Sequence, residues 1–152
     1  MSKKFIYKYL SEDELKSISA KIGEIEKTTS GELVITIKEK RGWLEKTKSV
    51  RVLAEKEFID AKIGKTKGAT GILIFILFNA KEFCILGDKK INELVEQSVW
   101  DEISSSMSLD FKKENFCKGI LNGVDQAGKI LSTYFPIQPG DVNELSNEVI
   151  IK

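Results

Sequence analysis

The sequence predicts an α/β fold in which helices pack on a small mixed β-sheet. Apolar residues recur at helical spacing in several segments, and two stretches are apolar and β-branched as strands are. Helix and strand alternate before the chain ends in helices, an order typical of this class. We expect one domain over residues 1–136 and a C-terminal tail of the same domain over residues 137–152.

The first half of the chain is predicted to form a helix, a strand and a second helix. The first helix begins at Ser11, which can form a capping box with Glu14. Residues 32–38, ELVITIK, are rich in β-branched side chains and predict the first strand. The second helix is predicted over about 46–62, with Gly64 as its C-terminal stop.

The second half is predicted to form a hairpin followed by two helices. Residues 70–78, TGILIFILF, are apolar at consecutive positions, which suits a central strand covered on both faces. After a short turn, residues 82–88 provide the antiparallel partner. The helices are predicted over about 91–107 and 113–134, with a break near 108–110.

The predicted connections bring acidic residues to one end of the sheet. Strands joined through a helix should be parallel, and the hairpin strand should be antiparallel to the second. Glu32, Thr70 and Asp88 then lie at the same end, where Gly71 and Gly87 would let the backbone approach a ligand. Glu32 and Asp88 are therefore the first candidates for metal ligands, and Thr70 is a weaker one.

Glu32 and Asp88 also have structural alternatives. Asp88 is well placed to cap a helix that begins at Lys89, with or without a metal, and Glu32 could pair with a lysine. Because Ca²⁺ takes six to eight oxygens, two carboxylates completed by carbonyls and waters would make only a weak site.

The other acidic groups are weaker candidates. Asp101 and Glu102 follow a tryptophan on a predicted helix and are expected to face solvent. Asp141, Asn143 and Glu144 are spaced like the oxygens of a calcium loop, but the glycine and final glutamate of an EF-hand are absent. The alternative is a docked or mobile C-terminal tail.

Composition excludes several classes of function. The chain has no histidine, which removes Ser-His-Asp and Cys-His catalysis and histidine-ligated metals, so any metal must be held by oxygens. Its 24 basic and 23 acidic residues give a net charge of +1, which argues against nucleic-acid binding. Cys84 and Cys117 have no C-x-x-C spacing and are predicted to be buried free thiols.

The N-terminal residues MSKKFIYKYL lack the apolar region of a signal peptide. The longest apolar run, GILIFILF at 71–78, is too short to span a bilayer. We therefore expect a cytoplasmic protein without membrane insertion.

Six segments in this order resemble the TPM domain family, and in particular its small stand-alone bacterial members: IEKTTSGELVITI, TGILIFI, GDKKI, WDEI, CKGILNGVDQAGKIL and YFPIQPGDVNELSNEVI. The family is named for thylakoid-lumen photosystem II repair proteins and an accessory protein of acetylcholine receptors. The resemblance implies a three-layer α/β/α sandwich with a small mixed sheet. It also implies Ca²⁺ or another divalent ion at acidic loops and, for the plant branch, a weak acid phosphatase activity.

The chain departs from the family pattern near the predicted metal site. Thr70 precedes Gly71 where the family often carries Asp or Asn, and Lys90 replaces a loop glycine. We therefore predict a non-catalytic domain that binds Ca²⁺ or Mg²⁺ weakly and acts through an unidentified protein partner. The alternatives are a metal-assisted phosphatase of low activity and a metal-free protein-interaction domain.

Overall fold

A computed structural model describes residues 4–65, 69–140 and 149–152. Among these residues, none of the helices is both long and apolar enough to cross a membrane. The short 3-10 helices are Lys4–Lys8, Trp43–Glu45 and Ile63–Lys65. The longer elements are α1 Glu12–Glu26, β1 Glu32–Lys38, α2 Val50–Asp60, β2 Gly71–Leu77, β3 Glu82–Gly87, α3 Lys89–Leu94, α4 Gln97–Lys112, α5 Phe116–Tyr134 and β4 Ile150–Ile151.

The sheet is mixed, with the strand order β3-β2-β1-β4. As predicted, β1 and β2 are parallel and β2 and β3 are antiparallel. The sequence did not predict β4, which pairs in parallel with β1 through Thr36–Ile150 and Ile37–Ile151. The last residues of the chain therefore form an edge of the sheet.

Side chains alternate between the two faces of the sheet, because successive strand residues point in opposite directions. Leu33, Ile35 and Ile37 of β1 pack with α1, α3, α4 and α5 in the larger core cluster. Val34 packs with Leu53 and other residues of α2 in the smaller one. This arrangement confirms the predicted α/β/α sandwich.

The single helix predicted over 91–107 is wrong. The chain forms α3 and α4, separated by extended backbone at Val95 and Glu96. In one continuous helix Val95 and Trp100 would point about 140° apart, since each residue turns about 100°. The extended residues between α3 and α4 change the direction in which the following side chains point. Ile91, Val95 and Trp100 therefore all reach the core.

The predicted break near 108–110 is also misplaced, because α4 continues to Lys112. Phe111 lies one turn beyond Met107 and is buried with it, so packing favours another helical turn. The turn instead occurs at Glu114, whose backbone is left-handed with φ 61°. Consequently α5 begins at Phe116 and not at Lys113.

The second helix is shorter than predicted. Its N-cap is Ser49, whose hydroxyl accepts a hydrogen bond from the Val52 backbone N–H at 3.2 Å. Its end is marked by Lys62, which adopts the left-handed conformation with φ 60° that Gly64 was expected to supply. In contrast, the predicted Ser11–Glu14 capping box of α1 is confirmed.

Candidate functional site at the acidic rim

The structure places Glu32 and Asp88 on either side of the start of β2. Glu32 is the register partner of Gly71, and its backbone N–H lies 3.4 Å from the carbonyl oxygen of Thr70. The Asp88 backbone N–H donates to the Gly71 carbonyl at 2.9 Å. The two candidate ligands and Thr70 therefore share one end of the sheet, as the connectivity predicted.

A third carboxyl group, Glu26, lies against Glu32. Glu26 is the last residue of α1 and Glu32 the first of β1, and their exposed fractions are only 9% and 3%. Sequence reasoning missed Glu26 because a helix-terminal glutamate is normally solvated. The available signal was its position four residues after Ile22, which continues the buried stripe of α1. We call Glu26, Glu32, Thr70 and Asp88 the acidic rim.

Burial raises the pKa of Glu26 to about 9. Desolvation is the main cause, followed by the hydrogen bond to Glu32 and the negative charge of that group. The backbone N–H of Leu33 lowers the pKa, but by less. Neither Glu26 oxygen accepts a well-aligned hydrogen bond among the described residues. An ionised Glu26 would therefore lie buried beside another carboxyl group, which favours the protonated form of Glu26.

Asp88 caps α3, as expected with or without a metal. Its Oδ1 accepts a hydrogen bond from the Lys89 backbone N–H at 2.7 Å. Its Oδ2 is buried and accepts no hydrogen bond from any residue that the structure describes. One oxygen of Asp88 is therefore used structurally, and the other has unused capacity as a ligand.

The segment before β1 is held against the end of α5, and this contact positions the acidic rim. The Thr29 hydroxyl donates to the carbonyls of Leu131 and Phe135 and accepts from the Gly31 N–H at 3.0 Å. A Cβ on Gly31 would lie 2.7 Å from Leu131 Cδ2 and 2.8 Å from the Thr70 carbonyl oxygen. Only glycine allows the backbone to approach Thr70 so closely.

The sequence also offered two groups of weaker acidic candidates. Asp101 and Glu102 are exposed on α4, as predicted. The weaker candidates Asp141, Asn143 and Glu144 fall outside the described residues. Within the described ranges, no group of three or more acidic or thiol side chains is close enough to hold a metal ion. Any cation at the acidic rim must therefore take part of its coordination from carbonyls and water.

Both cysteines are free thiols, as predicted, although each is only partly buried. Burial raises the pKa of Cys84 and of Cys117. Because the thiolate is the reactive form, this shift makes both poor nucleophiles at neutral pH.

The chain is similar to a known family and to solved structures. The TPM domain matches residues 7–130. The NMR structure of the BA42 protein from the psychrophilic bacterium Bizionia argentinensis superimposes with a TM-score of 0.84 and 33% identity, covering 95% of this chain and 96% of that one. None of the curated proteins matches the chain.

The N-terminal domain of the cg2496 protein from Corynebacterium glutamicum is similar in fold alone. Its TM-score is 0.61 at 9% identity, with 89% of this chain and 81% of that one covered. The fold, the order of the motifs and the match over most of the sequence agree. The chain belongs to the TPM domain family.

Proposed function

We propose that this protein is a non-catalytic module that binds a divalent cation, Ca²⁺ or Mg²⁺, at the acidic rim. The supporting observation is the buried, adjacent pair of carboxyl groups of Glu26 and Glu32. Two negative charges so close together and away from water are costly unless a proton or a cation neutralises them. A hard cation that prefers carboxylate oxygens fits this environment.

Glu26 and Glu32 would be the principal ligands of the cation. The carbonyl oxygen of Thr70, which accepts a hydrogen bond from the Glu32 backbone N–H, is a further oxygen beside this pair. Since these groups are fewer than a calcium site normally requires, water would complete the coordination. We expect weak binding, with a dissociation constant of about 10⁻⁴ to 10⁻³ M.

An NMR titration of the metal-stripped protein with Ca²⁺ and then Mg²⁺ tests this proposal. We expect saturable amide shifts confined to residues near 26–32, 70–71 and 87–90. Glu26→Gln combined with Glu32→Gln should abolish them, whereas the exposed control Glu102→Gln should leave them unchanged. Absence of shifts up to about 10 mM, beyond the weak extracellular class of calcium sites, would contradict the proposal.

Cation binding should also release a proton. Since the pKa of Glu26 is about 9, a cation at neutral pH must displace the proton of the Glu26 carboxyl group. The apparent dissociation constant is then expected to rise by up to about tenfold for each pH unit between pH 8 and pH 6. Calorimetry in buffers of different ionisation enthalpy measures the released proton directly, and a dissociation constant independent of pH would exclude Glu26 as a ligand.

Association with another protein is the proposed consequence of cation binding, because neutralising the carboxyl pair changes the charge of one end of the sheet. Metal-assisted phosphatase activity is the alternative. Hydrolysis of a phosphomonoester that requires the cation and is lost in Asp88→Ala would favour the alternative over a pure binding function.

A further inference from the structure

Two large apolar side chains protrude from the loop between β1 and α2, residues 39–49, which we call the Trp43 loop. Trp43 and Leu44 have exposed fractions of 82% and 76%. They occupy the 3-10 helix Trp43–Glu45, so they are adjacent in sequence and stand away from both core clusters. Neighbouring large apolar side chains that are both exposed are typical of an interaction site.

Hydrogen bonds hold the Trp43 loop in this conformation. The Arg41 guanidinium donates to the Lys48 carbonyl at 2.8 Å and to the Glu82 carboxylate at 2.7 Å, which ties the loop to β3. Glu45 accepts from the Gly42 N–H at 2.7 Å and from the Lys38 ammonium at 2.5 Å. The two apolar side chains are thus presented by a closed turn rather than by a free segment.

The charges that remain exposed around Trp43 and Leu44 are positive. Both acidic residues of the loop are in ion pairs, Glu39 with Lys8 at 3.7 Å and Glu45 with Lys38 at 2.5 Å. The Lys38 hydrogen bond lowers the pKa of Glu45, which keeps that pair ionised. The three exposed lysines that form no ion pair with another described residue are Lys40, Lys46 and Lys48.

We propose that the Trp43 loop attaches the protein to the surface of an anionic lipid bilayer, with Trp43 and Leu44 in the headgroup region and the lysines on the lipid phosphates. Tryptophan favours this interface because it combines an apolar ring with a polar N–H. Each lysine near an anionic surface strengthens binding. Peripheral attachment of this kind requires no membrane-spanning helix.

The same features fit a protein partner less well. A stable protein interface buries roughly 800 Å² on each side, whereas one aromatic side chain buries about 250 Å² at most. Two exposed apolar side chains and three exposed lysines on one loop provide a small insertion point rather than an extended flat face. The positive charges of the loop complement an anionic lipid surface. The boundary between the lipid headgroups and the acyl chains can surround both apolar side chains.

Tryptophan fluorescence provides a direct test, since the chain contains only Trp43 and the buried Trp100. Trp100→Phe leaves Trp43 as the single tryptophan. We expect its emission to shift to shorter wavelength with vesicles of two parts phosphatidylcholine to one part phosphatidylglycerol, and not with pure phosphatidylcholine. Co-sedimentation of the unmodified chain with the same vesicles gives a second measurement that does not depend on this variant.

Lys46→Ala with Lys48→Ala should lower the partition coefficient about 25-fold at low salt, since each lysine contributes about fivefold. Trp43→Ala with Leu44→Ala should abolish sedimentation without changing the circular dichroism spectrum. If the protein does not bind the anionic vesicles, the proposal is overturned. A protein would then be the remaining kind of partner for the Trp43 loop. Equal binding to neutral and anionic vesicles would also overturn it, because the lysines would then have no role.

Discussion

Glu26 links the stability of the protein to pH through its burial against Glu32. In the unfolded chain its pKa is near the ordinary 4.5, and in the folded chain it is about 9. Between these values the folded state holds one proton more than the unfolded state. The free energy of unfolding should therefore fall as pH rises from about 5 to 9, by up to about 1.4 kcal/mol per pH unit.

Glu26→Gln should remove this dependence on pH. A glutamine amide is neutral, as the protonated acid is, so we expect little change at pH 5 and a gain in stability at pH 8. Urea denaturation at several pH values measures the effect, and Glu102→Gln is the exposed control. Parallel pH profiles for Glu26→Gln and the unmodified chain would show that Glu26 titrates normally.

At the scale of one helix, α5 depends on glycines where it meets its neighbours. A Cβ on Gly119 would lie 2.8 Å from two ring carbons of Phe111 on α4, and one on Gly128 would lie 2.6 Å from Ile25 on α1. These contacts explain why a buried helix keeps residues with poor helix propensity. The glycines set how closely α4 and α1 approach α5.

We expect Gly119→Ala to destabilise the protein by about 1–2 kcal/mol, although alanine alone would favour the helix by about 1 kcal/mol. The aromatic ring of Phe111 is fully buried and has little space to move. Thermal or urea unfolding measures the change. The control is Thr133→Ala, an exposed position on the same helix, which should have almost no effect. A stabilised Gly119→Ala would show that α4 can move away at no cost.

The short strand β4 is held by an ion pair as well as by the sheet. Lys152 donates its backbone N–H to the Ile37 carbonyl at 2.8 Å, and its ammonium group lies 2.8 Å from Glu57 Oε1. Glu57 is buried on α2 and also accepts from the Thr36 hydroxyl at 2.9 Å. The terminal segment thus supplies, through Lys152, the positive charge that neutralises the buried Glu57 carboxylate.

Deleting residues 149–152 should lower the free energy of unfolding by about 1–2 kcal/mol, less than for a fully buried pair because Lys152 is half exposed. Much of the loss should come from the charge left on Glu57. Glu57→Gln in the shortened chain is therefore expected to recover part of the stability, as measured by urea denaturation. Equal stability of the full and shortened chains would show that β4 contributes nothing.

On the scale of the whole molecule, the two proposed sites lie at opposite ends of β1. Glu32 begins this strand and the Trp43 loop follows its end, so about 20 Å of strand separates them. A protein attached to a bilayer through the Trp43 loop would direct its acidic rim away from the lipid. The bound surface and the cation site would then be accessible at the same time.

The two sites should therefore act independently. Glu26→Gln with Glu32→Gln is expected to leave vesicle binding unchanged, and Trp43→Ala with Leu44→Ala should leave the Ca²⁺ titration unchanged. The four-substitution variant should show the sum of the two losses. Vesicle binding that weakens when the cation is removed would reveal coupling through the sheet and contradict independence.

The sequence by itself determined the approximate positions of α1, α2 and α5, the first three strands and the directions of those strands. These features follow from local periodicity, capping residues and short connections, which is why the Ser11 cap and the gathering of Glu32 and Asp88 were predicted correctly. The resemblance of the sequence to the TPM domain family also implied the layered architecture.

Only the tertiary structure decided where the helices break, that Ile150 and Ile151 form a strand and that Glu26 lies beside Glu32. The break at Val95 depends on which side chains must reach the core, and β4 depends on a partner more than a hundred residues away. Glu26 meets Glu32 because Thr29 is anchored to α5. Such contacts join distant segments, so spacing within one segment carries no signal for them.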